Sequence, residues 1–168
     1  SYNDFQGNDN LTIFMDYMEN GALSDLIEKE SRSLLPSDFD DTKRQIILAG
    51  IARGMMLLHK KNVIHRDLKP ENVLLDKDYK PHITDFGLSK IFNPQHSQSQ
   101  SMSNFGTLAY MAPEVINGNK FSVKADVYAF GILMYEVLTG TRAFRNITSK
   151  KEFNIFQFMK CISGGTRP

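Results

Sequence analysis

Cysteine is almost missing from these 168 residues: Cys161 is the only one. No internal disulfide can form, which fits a reducing, cytoplasmic setting. An excess of charge of either sign is missing too. Twenty Lys and Arg against nineteen Asp and Glu leave a formal net charge of +1, so nothing electrostatic argues for nucleic acid or an anionic membrane as partner. Long apolar runs are also lacking. The longest, residues 127–135, ends at Glu136 and falls far short of the roughly 20 residues that cross a bilayer, so no membrane span is expected. The opening SYNDFQGNDN is polar, has no signal-peptide pattern and has no initiator Met, which reads as a processed product or an excised piece. No internal repeat is seen. What is present is a globular balance, 41% hydrophobic and 23% charged, sized for one domain with a real core.

Along the chain, LTIFMDYM (11–18) alternates as a strand, with Leu11, Ile13 and Met15 on one face, and Asn20-Gly21 breaks it. Residues 22–30 read as a short helix with Asp25 in its first turns. Pro36 and Ser37 precede a long helix, about 39–60, whose apolar stripe is Ile47, Ile51, Met55 and Leu58. Gly50 and Gly54 in that helix form G-x-x-x-G around Arg53, which reads as close packing of soluble helices and not membrane dimerisation. Short strands are expected at 63–64, 73–75 and 82–84. The polar run 93–104 reads as a mobile loop. Ser122 suits an N-cap for a helix over about 123–138, stopped by Gly140. That helix is apolar on nearly every side, so it is expected to be central and buried. A last helix is expected over about 150–162.

The densest polar stretch is His65-Arg66-Asp67-Leu68-Lys69-Pro70-Glu71-Asn72, followed at once by apolar Val73-Leu74-Leu75. Such a loop is pinned on a rigid base. Its residue types suit phosphoryl transfer from ATP, which needs an oriented hydroxyl, neutralised phosphate charge and a held metal ion. Asp67 can accept or orient the hydroxyl proton. Lys69 lies on the same side of an extended loop and can reach the transferring phosphate. Asn72 offers a neutral oxygen and Asp85 a charged one, and hard oxygen ligands of this kind suit Mg²⁺.

HRDLKPEN (65–72), then Asp85-Phe86-Gly87, then Ala112-Pro113-Glu114 resembles, in order, the signature of eukaryotic protein kinases. The resemblance runs from Leu11 to the end of the chain. Lys69 and the segment Gly106-Thr107-x-x-Tyr110-x-Ala112-Pro113-Glu114 resemble the serine/threonine class, and Asp126-Val127-Tyr128-Ala129-Phe130-Gly131 resembles its tyrosine-kinase-like branch. The fold implied is α+β: a mostly helical C-terminal lobe with short β-hairpins at the cleft. The resemblance implies a hinge at 11–18, a catalytic loop at 65–72 and an activation segment at 85–114. ATP and Mg²⁺ are the implied cofactors, with a protein bearing Ser or Thr as substrate.

Roles follow by position in that resemblance. Asp67, Lys69 and Asn72 would be catalytic, with Asn72 and Asp85 holding metal. Met15 would stand beside the adenine pocket. The backbone of Asp16 and Met18 would hydrogen-bond adenine, Asp25 would reach the ribose, and Leu74 would form the apolar floor. Thr107 would bridge Asp67 and Lys69 in the substrate segment. His65 would pack beneath Phe86 as a structural residue, and Asp126 would tie the loop to the central helix through backbone donors. Glu114 needs an Arg that in this family lies further along; Arg142 and Arg145 are the nearest substitutes. Arg66 and Lys90 would receive a phosphate on Ser103, whereas Ser97, Ser99 and Ser101 read as incidental serines of a solvated loop.

Against the resemblance stand two absences. No G-x-G-x-x-G occurs, and the lysines before Asp67 (Lys29, Lys43, Lys60 and Lys61) all fall in expected helices or their ends. Most of the N-terminal lobe and the last C-terminal helices are thus expected to be absent. An exposed apolar surface would then invite a protein partner. Two rivals follow: a truncated kinase-like protein that acts as a non-catalytic binding or scaffold module, and a nucleotide-binding module without transfer.

Overall fold

The computed structural model describes residues 16–85, 90–91, 108–149 and 154–168. Met15 and the strand expected before it, Phe86, the loop 93–104 with Ser103, and Thr107 lie outside the described residues. Residues 16–18 form no regular structure. Helix α1 is Leu23–Ser31, one residue later than the 22–30 expected. Ala22 is held extended because it bridges Leu74, and Gly21 before it adopts φ +66°, a conformation glycine takes without strain.

Helix α2 is Asp41–Lys60, and its start corrects the expectation of residue 39. The Asp40 carboxylate accepts from Lys43 N at 3.0 Å and caps the helix. Phe39 stays outside and meets the Tyr79 ring at a tilt, 5.5 Å between ring centroids. Ile47, Ile51 and Met55 are buried and Leu58 is half-buried. Strand β1, Val63–Ile64, follows. A 3₁₀ turn, Pro70–Asn72, leads into β2, Val73–Leu75. Strand β3 is Pro81–Ile83, one residue earlier than expected, and pairs antiparallel with β2 in the register Val73↔Ile83. Thr84 leaves the ladder, its N and Oγ1 both donating to Asn72 O at 2.9 and 3.2 Å. Strand β4, Lys90–Ile91, pairs antiparallel with β1, so of the two small sheets among the described residues only β2–β3 is a hairpin.

The G-x-x-x-G of α2 packs on a strand, not on a helix as expected. A Cβ on Gly50 would meet the Pro81 ring, with Cδ at 2.5 Å, and one on Gly54 would meet Ile83 Cδ1 at 2.8 Å. Pro81 cannot swing aside, because its ring is part of the backbone. Gly50→Ala is therefore expected to destabilise the protein by about 1–3 kcal/mol through overpacking, despite alanine's better helix propensity. An unchanged denaturation midpoint would show that the helix–strand contact yields freely.

Helix α3, Pro113–Ile116, precedes α4, Val123–Thr139. Ser122 Oγ caps α4 by accepting from Lys124 N at 3.2 Å, and Gly140 at φ +63° ends it. The apolar pattern of α4 implies burial on nearly every side, and the helix departs from that. Ala125, Asp126, Ala129, Ile132, Leu133, Glu136 and Val137 are buried, while Val127 and Leu138 are 57% exposed. Met134, 40% exposed, lies with these two on one helical face. Helix α5, Arg145–Thr148, and α6, Ile155–Ser163, complete the chain. Residues 150–153, the expected start of the last helix, lie outside the described residues; Asn154 Oδ1 caps α6 by accepting from Phe156 N at 2.9 Å. Phe158 of α6 meets Phe144 edge-on at 5.2 Å.

Candidate active site

The anchor of the site is Asp126, 2% exposed in the first turn of α4. Its Oδ2 accepts from His65 N at 2.9 Å and from His59 Nε2 at 2.8 Å, and its Oδ1 accepts from Arg66 N at 3.0 Å. A buried carboxylate needs such donors to be tolerated. The bonds in turn hold Arg66 at φ +72°, a left-handed conformation that costs a non-glycine residue free energy.

His65 is fully buried. Its Nδ1 accepts from Asp67 N at 3.3 Å, so Nε2 carries the proton and donates to Thr84 O at 3.1 Å. Both ring nitrogens are engaged, which leaves neither to serve as a base. Asp67 is 6% exposed. Its Oδ2 accepts from Lys69 Nζ at 2.7 Å and from Asn72 Nδ2 at 3.0 Å. Its Oδ1 is buried with no hydrogen-bond partner among the described residues. Asn72 Nδ2 also donates to Asp67 O at 2.8 Å, so the amide oxygen is the end of Asn72 left for another ligand. Asp85 is exposed at φ +59°, one residue beyond the Thr84 that is tied to Asn72. Among the described residues no group of three His, Cys, Asp or Glu could hold a metal ion. The oxygens of Asn72 and Asp85 are a sparser set, of the kind Mg²⁺ accepts while keeping waters.

Arg66 is half-buried with its guanidinium 5.6 Å over the Phe121 ring. Its Nε is buried without a partner among the described residues. Burial pulls the guanidinium below its ordinary pKa, opposed by the Asp126 charge. Lys90 is described in its backbone only, paired with Ile64 next to the loop.

At the opposite edge, Asp16 is exposed, Met18 is half-buried, and Asp25 is exposed in the first turn of α1. Leu74 is half-buried and bridges Ala22, which brings α1 and β2 together there. Glu114 forms no ion pair among the described residues, and neither Arg142 nor Arg145 serves it. Arg142 Nη2 instead reaches Glu71 Oε1 at 3.0 Å.

Sequence reasoning missed a buried network around that arginine. Tyr110 OH donates to Glu136 Oε2 at 2.7 Å, Ala143 N donates to Glu136 Oε1 at 2.7 Å, and Arg142 Nη1 lies 3.3 Å from Tyr110 OH. Burial pushes the Tyr110 hydroxyl far above its ordinary pKa, with Glu136 adding to the rise. Burial likewise raises Glu136, while Ala143 N–H, Tyr110 and Arg142 pull it down. The one signal in the sequence is an acid, Glu136, closing an apolar run. His59, the third donor to Asp126, carries none.

The family model described as Protein kinase domain matches residues 1–165. The chain is 44% identical over 146 residues to the G-type lectin S-receptor-like serine/threonine-protein kinase SD1-1 of Arabidopsis thaliana, covering 84% of this chain and 17% of that protein. It is 37% identical to the receptor-like serine/threonine-protein kinase SD1-7 of the same plant, over 88% of this chain and 17% of that protein. It is 41% identical to the cysteine-rich receptor-like protein kinase 6 of Oryza sativa subsp. japonica, over 77% of this chain and 19% of that protein. The chain thus spans under a fifth of the length of these curated relatives. No helix among the described residues is long and apolar enough to cross a membrane.

Proposed function

The chain belongs to the protein kinase family, with serine/threonine kinases among its relatives, and from that premise we propose that the protein transfers the γ-phosphate of ATP to a Ser or Thr hydroxyl of a protein substrate. The observation that carries the reading is Asp67 Oδ1, a buried acceptor without a partner among the described residues. An orphaned buried oxygen is costly unless a ligand takes it, and a substrate hydroxyl is such a ligand. In this reading the hydroxyl oxygen forms a bond to the γ-phosphorus, the bond from that phosphorus to the bridging oxygen breaks, and ADP leaves. The hydroxyl proton passes to Asp67. Lys69, held on Asp67 Oδ2 at 2.7 Å, would bring its positive charge to the transferring phosphate. Asn72 and Asp85 would hold Mg²⁺, which when bound neutralises phosphate charge. Asp16 and Met18, Asp25 and Leu74 would receive adenine and ribose at the α1–β2 edge, with Thr107 bridging Asp67 and Lys69. His65 and Asp126 would hold the loop, the one beneath Phe86 and the other from α4. Glu114 would serve structurally within the first turn of α3.

A full-length preparation with Mg²⁺-ATP and a generic protein substrate is expected to transfer phosphate, and Asp85→Ala is expected to abolish both the transfer and metal-dependent ATP binding. Residues 1–168 alone are expected to give no turnover above background, since they contain no G-x-G-x-x-G to cover the phosphates and exclude water. Robust transfer by that piece, lost on Asp85→Ala, would overturn the second expectation. A non-catalytic scaffold is the second reading. The exposed apolar face of α4 favours it, with Val127 and Leu138 57% exposed, because such faces mark partner sites.

Control of the same site would run through Arg66. Its buried Nε lacks a partner among the described residues, so a phosphate on Ser103, carrying about −1.5 to −2 charges, would pair with it. The register Ile64↔Lys90 puts a second cation's backbone close to Arg66. Ser103→Ala is expected to cost roughly tenfold or more in activity, the reach of one or two charge-assisted bonds. Phosphosite mapping of the active full-length protein checks this: full activity with Ser103 unmodified removes the idea.

A further inference from the structure

Arg142, which touches Glu71 of the 65–72 loop, lines a recess of about 470 Å³ together with Tyr135, Thr141, Arg145, Asn146, Ser149 and Pro168, and no Asp or Glu side chain is among the described residues that line it. Two guanidiniums and several neutral hydrogen-bond donors therefore face one concavity. Arg142 is held in place from the opposite side. Its Nη2 is 3.0 Å from Glu71 Oε1 and its Nη1 is 3.3 Å from Tyr110 OH, with Glu136 Oε2 at 3.8 Å. It thereby joins the loop that carries Asp67 to the segment that follows Thr107. Arg145, three residues on at the start of α5, is exposed and makes no ion pair among the described residues.

We propose that this recess binds an acidic segment of the protein substrate next to the acceptor hydroxyl, with Arg142 and Arg145 as specificity-determining residues. The inference rests on the kinase reading for the word substrate, but the recess and its charges stand without it. Glu71 and Glu136 could have received a basic residue, yet both are already turned onto Arg142. A lysine or arginine in the peptide would instead meet the like charge of Arg145, whose guanidinium has no carboxylate partner among the described residues, an arrangement that costs binding free energy. Asp or Glu side chains would meet a preorganised guanidinium and an uncompensated one. Guanidinium geometry suits carboxylates in pairs of parallel hydrogen bonds.

The test is an anisotropy titration of the full-length protein with three fluorescent peptides. All share one Ser-containing core, flanked by three Asp, three Asn or three Lys. The Asp peptide is expected to bind at least about tenfold more tightly than the Lys peptide and more tightly than the Asn peptide. Arg142→Ala removes a support of buried Glu136, so the exposed Arg145→Glu carries the decision: it is expected to erase the preference for Asp over Asn. Equal binding of Asp and Asn peptides, or a preference that survives Arg145→Glu, overturns the proposal. Phosphate transfer to the same peptides is read separately. Selective binding without transfer would sink the kinase reading and keep the recess; transfer with unselective binding would do the reverse.

Discussion

Replacing Asp67 by alanine in the full-length protein is expected to slow phosphoryl transfer by roughly 10²–10⁴-fold, the range of a positioned general base, while ATP binding stays nearly unchanged. The separation follows from the geometry. Asp67 spends Oδ2 on Lys69 and Asn72 at 2.7 and 3.0 Å, and Oδ1 is the oxygen left for the hydroxyl. The proposed metal oxygens belong to Asn72 and Asp85, so nucleotide binding does not pass through Asp67. Removing the Asp67 carboxylate costs Lys69 Nζ a partner, but Asn72 Nδ2 keeps its bond to the backbone oxygen of residue 67 at 2.8 Å, so the Asn72 oxygen stays placed. Near-normal turnover of Asp67→Ala would mean that the unpartnered Oδ1 has no part in the chemistry. Loss of ATP affinity in parallel with turnover would mean that the carboxylate supports the nucleotide instead.

Asp126→Ala is expected to act through stability as well as rate. Three donors lose their acceptor at once: His65 N, Arg66 N and His59 Nε2. Two are backbone amides of the loop, and unsatisfied donors in the interior cost more than the bond itself was worth. Arg66 meanwhile keeps a left-handed backbone at φ +72° with nothing to hold it there. A destabilisation of about 3–5 kcal/mol is expected, as for breaking a buried charged network from one side, together with loss of transfer. Asp126→Asn, which retains one acceptor oxygen, is expected to fall between alanine and wild type. Chemical denaturation of the three proteins gives the order. If Asp126→Ala unfolds at the wild-type midpoint, the carboxylate does not hold the loop.

Elements with strong local signals are legible in the sequence. The stripe Ile47, Ile51 and Met55 is spaced for one helical face, and it is buried. Ser122 and Gly140 bracket α4 through a capping oxygen and a left-handed turn, both properties of single residue types. Errors of one or two residues arise where a tertiary contact displaces a boundary: Ala22 is drawn into a bridge with Leu74, and Phe39 is drawn onto Tyr79. The G-x-x-x-G of α2 announces close approach, but its partner is β3, and a glycine pair carries no information about what lies against it.

By itself the sequence determined the family, the order of the polar motifs and the alternation of helices with short strands. These depend on residue types at fixed spacings along one chain, where each residue's preferences act locally. Tertiary structure alone decided which atoms are left over. His65 spends both ring nitrogens and Asp67 only one carboxylate oxygen, and Glu71, Tyr110, Glu136 and Arg142 converge from four separate segments. α4 is apolar on nearly every side in sequence, yet Val127, Met134 and Leu138 form an exposed stripe along it. Hydrogen-bond satisfaction and burial are sums over neighbours distant in sequence, so no single segment encodes them, and they take a value only once the chain has folded.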